Sequence, residues 1–123
     1  MKGTTKLNEA YYAGYFDGEG MVRIEQTSVM VQIESCYPKI IRRMYRVYGG
    51  NIGYCRGRNK KSRPSHIWRL YGEKAVRFLA RIYPFSCEKK QQIELALNFR
   101  TAPKNRKEFI RNEIARLKKE VYK

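Results

Sequence analysis

The sequence predicts an α+β fold in the order helix, two strands, helix, two strands, then helices. Three observations carry that expectation. Apolar and polar residues alternate in two short runs, from Val22 and again through Ile33, apolar residues recur at three- and four-residue spacing in other segments, and glycine or proline marks the changes of period. At 123 residues the chain has the length of one compact domain, enough for one core but not two, so residues 1–123 are taken as a single domain.

The first helix is expected from about Asn8, an N-capping residue type, with Glu9 in its first turn. It carries Tyr11, Tyr12, Tyr15 and Phe16 and ends near Asp17-Gly18. After Gly20 the period shortens to two, with Val22 and Ile24 on one side and Arg23, Glu25 and Thr27 on the other. A second strand turns Val31 and Ile33 inward and Met30, Gln32 and Glu34 outward. Pro38, favoured in a first helical turn, opens a helix with Ile40, Ile41, Met44, Val47 and Tyr48 at helical spacing, and Gly49-Gly50 closes it. Strands at about 51–58 and 65–71 flank a basic loop. Ala75, Phe78, Leu79 and Ile82 mark a helix that stops before Pro84, and Ile93, Ala96 and Leu97 mark the next. From about Pro103, Ile110, Ile114, Leu117 and Val121 share one face of a last basic helix.

Charge is the strongest compositional signal. Lys and Arg number 27 against 11 Asp and Glu, a net +16 that exceeds what solubility requires and implies a polyanionic partner. No apolar run approaches the roughly 18 residues of a membrane span, and the N-terminus has no apolar signal core, so a cytoplasmic protein with no membrane partner is expected. Cys36, Cys55 and Cys87 are odd in number and lack metal-ligand spacing, which points to reduced thiols acting as packing residues.

The segment Tyr12-Ala13-Gly14-Tyr15-Phe16-Asp17-Gly18-Glu19-Gly20 carries the most specific pattern. Gly14 and Gly18, four apart, put two residues without side chains on one helix face, so another backbone can approach closely; Ala13 is expected to extend that face. With one such helix per chain, the natural partner is the same helix of a second copy, related by a twofold axis. The expected dimer interface is Tyr12, Ala13, Gly14, Phe16, Asp17 and Gly18.

This segment resembles the LAGLIDADG motif of homing endonucleases in its small residues, its two acids and its final glycine. The element order, the basic hairpin loop and the stretch from Pro84-Phe85 to Leu97 resemble that family too, so the likeness spans most of the chain, more weakly toward Lys123. It implies an αββαββα fold with extra C-terminal helices, whose saddle-shaped antiparallel sheet sits on double-stranded DNA while two motif helices cross at the centre. It also implies Mg2+, or another divalent cation such as Mn2+, and hydrolysis of one phosphodiester on each strand across the minor groove.

By resemblance Glu19 is the metal ligand, helped by the backbone carbonyl of Gly18, and hard oxygen ligands suit such an ion. Asp17 is expected to make helix-end hydrogen bonds instead. Lys89 falls where the family carries a basic residue that stabilises charge on the phosphate, with Lys90 its rival by one position. Gln32 and Lys39 are further candidates for the active site.

The expected reading surface is the outward strand row Arg23, Glu25, Thr27, Met30, Gln32 and Glu34, a ribbon of the width that enters a major groove. Tyr54, Arg56 and Arg58 share a parity on the second hairpin, and Lys60, Lys61 and Arg63 add phosphate clamps. His66 and Trp68 are candidate contacts on the next strand; Arg69 has the opposite parity, and alternation alone does not choose between them. His66, the sole histidine, is expected to be a contact or structural residue rather than a catalyst.

The expected activity is therefore that of a homodimeric homing endonuclease cutting a long pseudo-palindromic duplex and leaving short 3′ overhangs. Two alternatives share the basic surface: a maturase that binds intron RNA, and a DNA-binding regulator that does not cut.

Overall fold

The computed structural model describes residues 5–56 and 63–121. Its elements are α1 (Thr5–Glu19), β1 (Gly20–Glu25), β2 (Ser28–Ser35), α2 (Pro38–Tyr48), β3 (Asn51–Cys55), β4 (Ser65–Tyr71), α3 (Gly72–Ile82), α4 (Lys90–Phe99) and α5 (Lys104–Val121). A short 3-10 turn at Tyr83–Phe85 follows α3. The predicted element order is present throughout.

All strand pairs are antiparallel, in the order β1-β2-β4-β3. Directly paired residues share a sheet face. One face carries Val22, Val31 and Leu70 in register, and Ile33 beside Trp68. The other carries the row Met21, Gln32, Arg69 and Asn51.

Helices α1, α2 and α3 cover the first face, and the core lies between them and the sheet. Its centre is aromatic. Phe78 meets Phe16, Tyr48 and Trp68 edge-on at ring separations of 5.3, 4.7 and 5.2 Å, and each such pair contributes about 0.5–1.5 kcal/mol beyond its buried area. Helices α4 and α5 pack on each other and against β1.

Two glycines are required by the backbone around this core. Gly49 and Gly50 have φ of 76° and 97°, a region that favours glycine, and a Cβ on Gly50 would strike the Arg69 carbonyl. Trp68 Nε1 donates to the Gly49 carbonyl at 2.8 Å, so the turn that ends α2 also satisfies the core's largest polar handle.

The boundaries differ from expectation in four places. Helix α1 begins at Thr5, three residues before the expected cap, because Lys6 and Leu7 are good helix formers and periodicity alone does not mark a start. Its end is Glu19, one residue beyond Asp17-Gly18, so the second acid of the motif is still helical. Strand β1 ends at Glu25; Gln26, with φ of 56°, and Thr27 form the turn into β2. Strand β3 stops at Cys55, so Arg56 lies just past it.

Two packing expectations are corrected. All three cysteines are free but exposed, so none is a packing residue. Met30, expected outward, sits on the outward face between its register partners Arg23 and Tyr71 but is fully buried there.

Candidate nucleic-acid interface and active site

The end of α1 and the start of α4 are joined by the first acid of the motif. The Asp17 carboxylate accepts from Ser86 Oγ at 2.5 Å and from the backbone N–H groups of Cys87, Glu88 and Lys89 at 2.7, 3.3 and 3.2 Å. It thus satisfies the amides leading into α4, whose own N-cap Lys89 makes no side-chain cap. Lys89 returns the connection, its Nζ donating to the Asp17 carbonyl at 2.6 Å. Asp17 therefore makes the helix-end bonds expected of it, between two elements. Asp17→Ala is expected to lower unfolding stability by about 2 kcal/mol and to depress any activity with it. A denaturant midpoint unchanged by that substitution would contradict the role.

Beside this junction lies a cleft of about 260 Å³ lined by Glu19, Gly20, Met21, Gln32, Glu34, Lys89, Gln92 and Lys118. Three of the four expected active-site side chains, Glu19, Gln32 and Lys89, meet there. The Glu19 carboxylate is exposed and makes no hydrogen bond to a described residue. Burial pulls the Lys89 ammonium below its ordinary range, against the opposing influence of Asp17, Glu88 and Glu19. Gln32 accepts from Arg69 Nε at 2.6 Å, and Glu34 accepts from Ser65 Oγ at 2.5 Å. Gly20 has its own reason to be glycine: a Cβ there would collide with the Phe16 ring, so the chain leaves α1 for β1 tightly over the core.

The fourth expected residue does not join them. Lys39 lines a separate cleft between α1 and α2 with Tyr11, Tyr15, Tyr37 and Arg43. The rival Lys90 is exposed, with its Nζ 5.0 Å from the Tyr83 ring centroid, so α4 turns Lys89 and not Lys90 into the cleft.

The outward face of the sheet holds most of the expected reading row. Arg23 is exposed and paired with Glu25 at 2.6 Å, and Gln32 and Glu34 follow on β2. Met30 is buried and Thr27 lies in the turn. The register also resolves β4: Arg69 faces outward beside Gln32, while Trp68 and His66 face the helix side. Trp68 is fully buried in the core and so presents no surface to a nucleic acid, contrary to expectation. His66 pairs with Tyr54 on that same helix-side face, their rings 5.3 Å apart. Tyr54 is 60% exposed, as all of β3 is exposed on both faces. Arg56 and Arg63 are exposed at the two ends of the loop, and Arg58, Lys60 and Lys61 lie outside the described residues, as do the side chains of Asn8 and Val121.

The expected dimer surface is divided. Tyr12, Ala13 and Phe16 are buried in the core of this chain and cannot face a partner, because they lie on the side of α1 turned toward α3 and the sheet. Gly14 and Gly18 are exposed, with nothing within 4 Å of a Cβ added to either, and Tyr11 is 51% exposed one turn away. Ala13 does not extend the smooth face.

Solved structures share this architecture. The homing endonuclease I-CvuI in complex with the I-CreI target in the presence of Mg superposes with a TM-score of 0.67 at 16% identity, over 93% of this chain and 84% of that one. I-CvuI with its own target in the presence of Ca gives 0.62 at 19%, over 94% and 80%. The archaeal intron-encoded homing endonuclease I-Vdi141I complexed with DNA gives 0.67 at 15%, over 92% and 85%. The chain has the LAGLIDADG homing endonuclease fold. No protein-family model and no curated protein matches the sequence. Within that fold, Gln92 and Lys118 line the cleft without having been expected there, while Arg69, which alternation left open, takes the outward face of the sheet. The signal for Lys118 was present: it continues the Ile110, Ile114 series at four-residue spacing, a lysine on the buried stripe of α5.

Proposed function

We propose that this chain is a site-specific, metal-dependent double-stranded DNA endonuclease acting as a homodimer on a long pseudo-palindromic target. The observation that carries the proposal is the cleft in which Glu19 and Lys89 meet at the edge of a polar sheet face, next to the open Gly14 and Gly18 surface of α1. Among the described residues no group of three or more His, Cys, Asp or Glu stands together, so a soft-metal centre of one chain has no support. A magnesium-type ion needs less: one or two carboxylates, with phosphate and water completing the shell. Glu19, exposed and without a hydrogen-bond partner among described residues, fits that requirement. The Gly18 carbonyl, in the last turn of α1 where carbonyls lack intrahelical donors, is the second donor. A divalent ion held there supplies an activated water and charge stabilisation at the leaving oxygen.

The chain's own residues do the rest. Lys89 presents a positive charge fixed by its bond to Asp17, so it opposes the negative charge that grows on the attacked phosphate without needing to reorganise. Arg23, Glu25, Gln32, Glu34 and Arg69 offer donors and acceptors along one sheet face for base edges in the major groove. Two such chains, joined through α1, bring two copies of Glu19 to the centre of the site, one for each strand, with short 3′ overhangs as the product.

The test is to incubate the protein with a randomised duplex library and Mg2+, sequence the cut ends, and repeat with EDTA. A pseudo-palindromic site cut only with metal supports the endonuclease. Duplex binding without cutting points to a regulator, and binding to intron RNA alone points to a maturase. On the recovered site, Arg69→Ala is expected to relax the preference at one position of each half-site by about 1–3 kcal/mol. An unchanged preference would remove Arg69 from the reading face.

A further inference from the structure

Lys118 lies near the end of α5, far in sequence from the motif, yet it lines the same cleft as Glu19 and Lys89. Three facts describe its side chain. It is part-buried, where Lys119 is exposed. Burial, and then the like charges of Arg23 and Lys89, hold its ammonium below the ordinary lysine range. That ammonium makes no hydrogen bond or ion pair with a described residue.

A half-desolvated cation facing two other cations is costly unless an anion completes the site. A second wall residue is also incomplete. Gln92 is 4% exposed, lines the cleft, and has a buried Oε1 without a hydrogen-bond partner among the described residues. A buried acceptor of this kind is satisfied by a water or an ammonium donor. The wall formed by α4 and α5 thus offers an unneutralised cation and an unmet acceptor, both at the cleft that holds Glu19.

We propose that Lys118 binds a backbone phosphate of nucleic acid at this cleft, making the C-terminal helix α5 part of the cleavage site. The assignment rests on the endonuclease reading. Lys89, tied to Asp17, has one donor direction committed to the fold. Lys118 has all three ammonium protons available, so it holds the phosphate while Lys89 meets the charge that develops on it.

Two measurements on the full-length protein test this. Binding of a mixed-sequence duplex is followed by fluorescence anisotropy at rising KCl, and single-turnover cleavage with Mg2+ is followed on the site recovered from the randomised library. Lys118→Met, which keeps the stem, is expected to slow cleavage roughly tenfold or more. It is also expected to flatten the dependence of log affinity on log salt by about 0.9 for each phosphate that is no longer neutralised. Lys118→Arg is expected to restore both. The melting temperature of the Met variant should stay level or rise, since a repelled, half-buried charge has gone; a merely structural lysine would lower it. Lys118→Gln serves as a second neutral variant if Met disturbs folding.

A neutral variant with wild-type salt slope and rate overturns the assignment, as do losses that track a lowered melting temperature and are not restored by Arg. If the wild-type protein cuts its site and only the Lys118 effects are missing, the endonuclease reading stands and this inference alone falls. If the wild-type protein neither binds nor cuts duplex DNA, both fall.

Discussion

Glu19→Gln is expected to abolish duplex cleavage while leaving duplex binding intact. The carboxylate is exposed, bonds to no described residue, and is not part of the core cluster, so its replacement by an isosteric amide removes nothing that holds the fold. What disappears is an anionic oxygen ligand for a hard divalent ion, a contribution of several kcal/mol, or a rate loss of about 10³-fold or more. Binding should hold or tighten slightly, because the substitution removes a negative charge from a surface that meets phosphates. The measurement is single-turnover cleavage beside anisotropy titration of the same duplex. Cleavage within tenfold of wild type would remove Glu19 from the metal site, and loss of both binding and cleavage would make it a structural residue.

Gly14→Leu carries the second large effect. Nothing lies within 4 Å of a Cβ at Gly14, so a leucine there starts into open space, and the folded protomer should tolerate it apart from presenting one more exposed apolar side chain. Across a helix-to-helix contact that depends on close backbone approach, the same side chain holds the two α1 helices apart. The expected result is a folded monomer by sedimentation, with wild-type circular dichroism. Linking two half-sites multiplies affinity by about 10²–10⁴, so the loss for the full target should fall in that range while half-site binding changes little. A Gly14→Leu protein that still sediments as a dimer would show that α1 is not the contact. This design differs from one aimed at Ala13 or Phe16, where the core itself would be damaged.

The order of elements was legible in the sequence because each change of period coincides with a glycine or proline: Gly20 at the start of β1, Pro38 at the start of α2, Gly49-Gly50 after its end. Glu19 and Lys89 were legible through the motif and its downstream stretch, and the structure brings them to one cleft. Three things were not legible, each for a physical reason. Parity on β4 depends on which face the helices cover, a tertiary fact, so Trp68 and Arg69 could not be ordered until Trp68 was seen buried against Phe78. The motif helix has a core side and an open side, but Tyr12, Ala13 and Phe16 are as small or apolar as an interface requires, so composition did not separate them from Gly14 and Gly18. Lys118 reaches the cleft through the packing of α5 on α4 and β1, which no local pattern encodes beyond its place on the apolar stripe.

Strand β3 is exposed along its whole length and on both faces, at the edge of the sheet. Exchanging a side chain there creates no cavity and strands no buried polar group, the two commonest sources of large destabilisation, so most such changes cost within about 0.5 kcal/mol. Strand β3 is thus mutationally uncoupled from the core that carries it. Tyr54 and its neighbours are free to drift, or to be randomised in a selection library, while Phe16, Trp68 and Phe78 keep the scaffold fixed. A lineage with this architecture can change what this strand touches faster than it can change anything that keeps it folded.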